Sequence, residues 1–109
     1  MKIKNFYWSE EKNKNLDFSK IEEIKGYADL KGCSSDLSSL KEIEGSACLE
    51  GCTSNLSNLK EIGGNANLTG CSEELKKSLA KSLKSCDGIY IEFRDGALTL
   101  KEFKEMYNE

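Results

Sequence analysis

At 109 residues the chain is long enough for one modest hydrophobic core and leaves little room for a separate catalytic domain. Its 16 Lys and Arg against 19 Asp and Glu give a net charge of −3. That balance lacks the basic excess that neutralises phosphates, so direct nucleic-acid binding is not expected. No stretch approaches the roughly 18 apolar residues of a membrane span, and the opening MKIKNFYWSEEK turns acidic where a signal peptide needs an apolar run. A cytoplasmic protein with no membrane contact is expected. The 5 cysteines are odd in number, do not form CxxC pairs and have no His beside them, which favours reduced thiols over a disulfide framework or a mixed zinc site.

Residues 1–15 open the chain. Ile3, Phe6, Tyr7 and Trp8 gather apolar and aromatic area before the charged stretch Ser9 to Asn15. This is the pattern of an N-terminal cap, a strand or short helix folded over the first of a series of repeats.

Residues 16–75 carry the repeats. IKGYADLKGCSSDLSSLKE from Ile24 is followed by IEGSACLEGCTSNLSNLKE from Ile43 and IGGNANLTGCSEEL from Ile62, a period of 19. Seven columns recur: Ile24/Ile43/Ile62, Gly26/Gly45/Gly64, Ala28/Ala47/Ala66, Leu30/Leu49/Leu68, Gly32/Gly51/Gly70, Cys33/Cys52/Cys71 and Leu37/Leu56/Leu75. Leu40 and Leu59 form an eighth column. Phe18 and Ile21 fall in the Leu37 and Leu40 columns, so a degenerate half-repeat begins near Leu16. Around Ala28 and Leu30 the alternation predicts a short strand with Tyr27, Asp29 and Lys31 facing outward. The Gly-Cys pair marks a turn. The spacing of three from Leu37 through Leu40 to Ile43 predicts one tight helical or 3₁₀ turn as a return arm. One strand per repeat then stacks in parallel at ~4.8 Å, turning each column into a ladder.

The motifs Ala28-x-Leu30-x-x-Cys33, Ala47-x-Leu49-x-x-Cys52 and Ala66-x-Leu68-x-x-Cys71 resemble the core of a leucine-rich repeat, with Ala in place of its first Leu. The resemblance implies an α/β repeat fold, a small leucine-rich-repeat-like solenoid. Leu56 to Leu68 is also similar to short repeats found in proteins of phages and bacterial mobile elements.

Residues 76–109 are expected to close the domain as a helix-strand-helix cap. Leu75, Leu79 and Leu83 predict a helix over 73–85. Ile89, Ile91 and Phe93 alternate with Tyr90 and Glu92 as a strand continuing the parallel sheet. Asp95-Gly96 signals a turn. Thr99-x-x-Glu102 is a capping box ahead of a final helix from about residue 100.

The repeat contains no catalytic constellation. No His stands by as base for a Ser or Cys nucleophile, and the Gly columns lack the Lys-Ser/Thr of a phosphate loop. A ladder of thiols runs along a line, whereas zinc needs four converging ligands. No enzyme activity, metal or cofactor is therefore expected. What varies while the inward columns repeat is the outward strand face: Tyr27, Asp29, Lys31, Ser46, Cys48, Glu50, Asn65, Asn67 and Thr69, continued by Tyr90 and Glu92. Such a face suits a non-enzymatic module that binds a protein partner. An alternative, suggested by the phage-like repeats and the acidity, is an inhibitor that binds a bacterial defence effector, as anti-CRISPR proteins do. A weakly capped terminal strand leaves self-association open.

Overall fold

Two columns of the sequence period, rather than one, become strands. The structure, a computed structural model, describes residues 2–11, 17–92 and 96–107. It is an α/β fold with two parallel sheets. In chain order the elements begin with β1 (Lys2–Ile3), β2 (Phe6–Tyr7), α1 (Trp8–Glu11) and a 3₁₀ turn (Phe18–Lys20). They continue through β3 (Glu23–Ile24), β4 (Ala28–Asp29), β5 (Glu42–Ile43), β6 (Ala47–Cys48), β7 (Glu61–Ile62) and β8 (Asn65–Asn67). Last come α2 (Glu73–Ser82), β9 (Gly88–Tyr90) and α3 (Leu100–Tyr107). The first sheet has the order β1-β3-β5-β7, the second β2-β4-β6-β8-β9.

The sequence period reappears as register. Ile24 pairs with Ile43 and Ile43 with Ile62 in the first sheet, and Ala28 with Ala47 and Ala47 with Ala66 in the second. The expectation of a single strand per repeat is corrected here. The Ile column, assigned from its spacing to the return turn, is extended instead. Each Ile is buried behind a Glu turned toward solvent, in the pairs Glu23–Ile24, Glu42–Ile43 and Glu61–Ile62. A β-branched residue suits that half-buried pleat, but a two-residue alternation is too short to stand out in sequence.

The tight turn is real and lies one step earlier. Ile21, Leu40 and Leu59 donate their N–H groups to Phe18, Leu37 and Leu56 carbonyls at 3.0–3.1 Å. Each turn is opened by a side chain: Asp17, Asp36 and Asn55 accept through Oδ1 from the backbone N–H of Ser19, Ser38 and Ser57. The core runs between the sheets and the turns. Ile21, Ile24, Leu30, Cys33, Leu37, Leu40, Ile43, Leu49, Leu56, Leu59, Ala66 and Leu68 are all fully buried. A fully buried Leu or Ile side chain stabilises the fold by ~1.5–3 kcal/mol.

The front segment supplies strands at the edge of both sheets, with Ile3 paired to Ile24 and Phe6 to Ala28. Phe6 is buried and packs edge-on against Phe18, with ring centroids 5.7 Å apart. Trp8 follows and donates from Nε1 to Ser35 Oγ at 2.8 Å. The charged stretch past Glu11 and the start of the half-repeat at Leu16 lie outside the described residues.

At the rear, Ser72 caps α2 by accepting from Leu75 N. The helix ends at Ser82, three residues short of the expected 85, because Leu83 is extended and Ser85 forms a parallel bridge with Glu61. β9 continues the second sheet in parallel but ends at Tyr90, so Ile91 and Glu92, expected within the strand, lie in a bend beyond it; Ile89 also bridges Leu98 antiparallel. Phe93 and Asp95 lie outside the described residues. The capping box closes as read: Thr99 N donates to Glu102 Oε1 at 2.9 Å and Glu102 N to Thr99 Oγ1 at 3.1 Å. α3 packs on α2 through buried Phe103 and Tyr107. The chain measures 39 × 22 × 22 Å, and among the described residues no helix is long and apolar enough to cross a membrane.

Candidate protein-binding face

The outward positions of the second sheet come together because parallel register places side chains of one parity in straight lines. One line runs Tyr7, Asp29, Cys48, Asn67, Tyr90 across five strands. Four strand steps span roughly 19 Å, so a tyrosine stands at each end with three polar side chains between. A second line runs beside it through Tyr27, Ser46 and Asn65.

Between the lines lies a shallow depression of about 350 Å³ walled by Tyr27, Ser46, Cys48, Asn65, Asn67 and Tyr90 and floored by Ala47. The Ala47 side chain turns into the core, so the floor of the hollow is strand backbone. Tyr7 and Tyr27 are 38% and 37% exposed, and their rings meet at a tilt with centroids 5.9 Å apart. Partial burial, then the neighbouring Cys48, Asp29 and Tyr7, raise the Tyr27 phenol above its ordinary pKa.

Of the expected face residues, the structure groups Tyr27, Cys48, Asn65, Asn67 and Tyr90 around the depression, with Asp29 in line beside them. Lys31, Glu50 and Glu92 do not line it. Two of the polar residues also serve the backbone: Asp29 Oδ1 accepts from Lys31 N at 3.1 Å and Asn67 Oδ1 from Thr69 N at 3.0 Å. Those contacts fix where the side chains point. The sequence reading missed Tyr7. Its aromatic character was visible, but its pairing with Asp29 spans 22 residues rather than 19.

The cysteines divide by environment. Cys33, Cys52 and Cys71 are buried, whereas Cys48 and Cys86 are half-buried. Ser54 Oγ donates to Cys33 Sγ at 3.2 Å and Cys71 Sγ donates to the Leu49 carbonyl at 2.9 Å. Cys33 gives up its proton before Cys52, because Cys52 and Ser54 both donate to its sulfur. The same partnership and burial push Cys52 up. Burial raises Cys71, and raises Cys86 to about 11.

On the first sheet, carboxylate oxygens of Glu23, Glu42 and Glu44 lie within 4.8 Å of one another. Lysines already neutralise part of that charge: Lys2 and Lys25 pair with Glu23 at 3.2 and 2.9 Å, and Lys25 reaches Glu44 at 3.5 Å. What the second sheet's face offers is contact chemistry, namely aromatic surface, amide groups, a thiol and a carboxylate held in fixed lines. No family model, curated protein or solved structure matches the chain.

Proposed function

We propose that the chain is a short leucine-rich-repeat-like solenoid that acts without catalysis, by binding a protein partner on the outward face of its second sheet. The observation that carries this reading is the hollow between the Tyr7–Tyr27 pair and Tyr90. Tyrosines supply large contact area at low conformational cost and are favoured anchors at interfaces. Here they flank amide and thiol groups that can satisfy a partner's backbone and polar side chains. The in-register Ile, Ala and Leu columns support the solenoid reading, since each copy buries its apolar residues only against its neighbours.

The test is affinity capture from a bacterial lysate with the wild-type chain and two variants. Tyr27→Ser should lose a protein that the wild type retains, and Glu61→Gln, on the other sheet, should retain it. Equal capture by all three places the partner elsewhere and refutes the face.

A further inference from the structure

We propose that the Tyr7, Tyr27 and Asp29 corner of this face recognises an arginine side chain presented by the partner. This rests on the binding-face reading and names the chemistry of its occupant. Tyr7 and Tyr27 are two of the large apolar side chains left exposed among the described residues, and they are adjacent. Asp29 is the strand neighbour of Tyr7 and lies two positions from Tyr27 on the same face. Its orientation is set by the hydrogen bond from Lys31 N. Asp29 takes no part in the ion pairs seen among the described residues, such as Lys2–Glu23, Lys25–Glu23, Lys25–Glu44 and Lys76–Glu73.

A carboxylate beside two accessible tyrosine faces matches a guanidinium, which stacks on aromatic rings through its plane and bonds a carboxylate through its edge. An ammonium ion gains the charge but not the stacking. The sign of the protein agrees, since the chain carries net charge −3. A neutral or acidic partner segment would leave Asp29 uncompensated on docking and lose affinity.

The experiment compares fluorescein-labelled hexa-arginine and hexa-lysine by anisotropy against the full chain at about 0.15 M salt, where exposed charges beyond a Debye length are screened. Hexa-arginine should bind about threefold or more tightly than hexa-lysine, in keeping with the stacking gain at an exposed site. Asp29→Asn, which keeps the size of the side chain, should weaken binding of both peptides, and Tyr7→Ser with Tyr27→Ser should bring the two peptides together. Tyr27→Phe, which keeps the ring, should preserve the preference. So should Glu42→Gln with Glu44→Gln, which removes charge from the other sheet. Far-ultraviolet circular dichroism matching the wild type shows that each variant is folded. Equal binding of the two peptides by the wild type overturns arginine recognition, as does a preference that survives loss of both tyrosine rings or hexa-arginine binding that Asp29→Asn leaves unchanged. If Tyr27→Ser loses captured partner while the peptides bind equally, the binding face stands and its arginine specificity falls.

Discussion

Two glycine columns recur with the same period for different physical reasons, and Gly45 separates them. A Cβ added at Gly45 would lie 2.8 Å from the carbonyl carbon and oxygen of Gly26 and 3.1 Å from Tyr27 N, all backbone atoms. Restoring ordinary contact requires the two chain segments to part by about 0.6 Å. The hydrogen bond from Gly45 N to Gly26 O, now 3.1 Å, then stretches past useful length. Overpacking costs about 1–3 kcal/mol and the weakened bond about 0.5–1.5, so Gly45→Ala should destabilise by about 2–4 kcal/mol. For a domain of this size that is a fall in Tm of about 8–18 °C. Gly51 has nothing within 4 Å of an added Cβ but sits at φ +66°. Gly51→Ala should cost about 1–2 kcal/mol through backbone strain alone. Asn tolerates that conformation, so Gly51→Asn should be more stable than Gly51→Ala, whereas Gly45→Asn should be no better than Gly45→Ala. Urea unfolding followed by circular dichroism measures all four. A Gly45→Ala variant within about 0.5 kcal/mol of wild type refutes the close-approach argument, and no advantage of Asn over Ala at Gly51 refutes the strain argument.

Leu49 is fully buried in the central copy, so Leu49→Ala should lower the unfolding free energy by about 2–5 kcal/mol in the same assay. Thr99→Ala removes the cap of α3 and should cost about 0.5–2 kcal/mol, read as faster amide exchange in Leu100–Tyr107. Thr99 backbone and side-chain hydrogen bonds hold the Glu102 carboxyl below its ordinary value of 4.5. A carboxyl lowered on folding contributes stability that is complete above the unfolded value and lost as pH falls through the folded one. Protection of the α3 amides, taken relative to their intrinsic exchange rates at each pH, should therefore fall as pH drops from about 5 to about 3, and Glu102→Gln should flatten that dependence. A thiol reagent should label native protein first at Cys48, with the fast phase absent in Cys48→Ser. Cys86, raised to about 11, should react slowly near neutral pH, and Cys33, Cys52 and Cys71 only on unfolding. Fast labelling of a buried thiol in folded protein would contradict the assigned burial.

The 19-residue period made the buried columns legible, because a residue repeated at fixed spacing in a chain this small has to serve packing. The α2 start and the Thr99 capping box were legible from local chemistry. The second strand of each copy was not, since Glu-Ile pairs are short and their spacing to Leu40 mimics a helical turn. The Asp17, Asp36 and Asn55 column was also available, as an Asp or Asn two positions ahead of Ser in each copy, and it identifies where each turn begins.

The ends of the array show why Tyr7 escaped. In the inner copies the step from the Ile strand to the Ala strand is four residues, Ile24 to Ala28 and Ile43 to Ala47. At the front it is three, because Ile3 pairs with Ile24 while Phe6 pairs with Ala28. Asn5 makes up the missing residue: its Oδ1 accepts the Tyr27 backbone N–H at 2.9 Å, as a carbonyl would. At the rear, α2 lengthens the return, so Ser85 meets Glu61 and Gly88 meets Asn65. A search at one period finds only the middle of such a face; Tyr90 is legible from the alternation around Ile89, and Tyr7 is not. Yet it is the ends that place Tyr7 and Tyr90 on the line of Asp29, Cys48 and Asn67. The shorter corner at Asn5 still places Tyr7 in the Asp29 column and against Tyr27, the pair on which arginine recognition depends. Inserting one residue after Asn5 gives the front the four-residue step of the inner copies, so Phe6 should keep its place beside Ala28 and Tyr7 its place beside Asp29, and the arginine preference should persist; its loss would show that the Tyr7 register depends on the Asn5 corner itself.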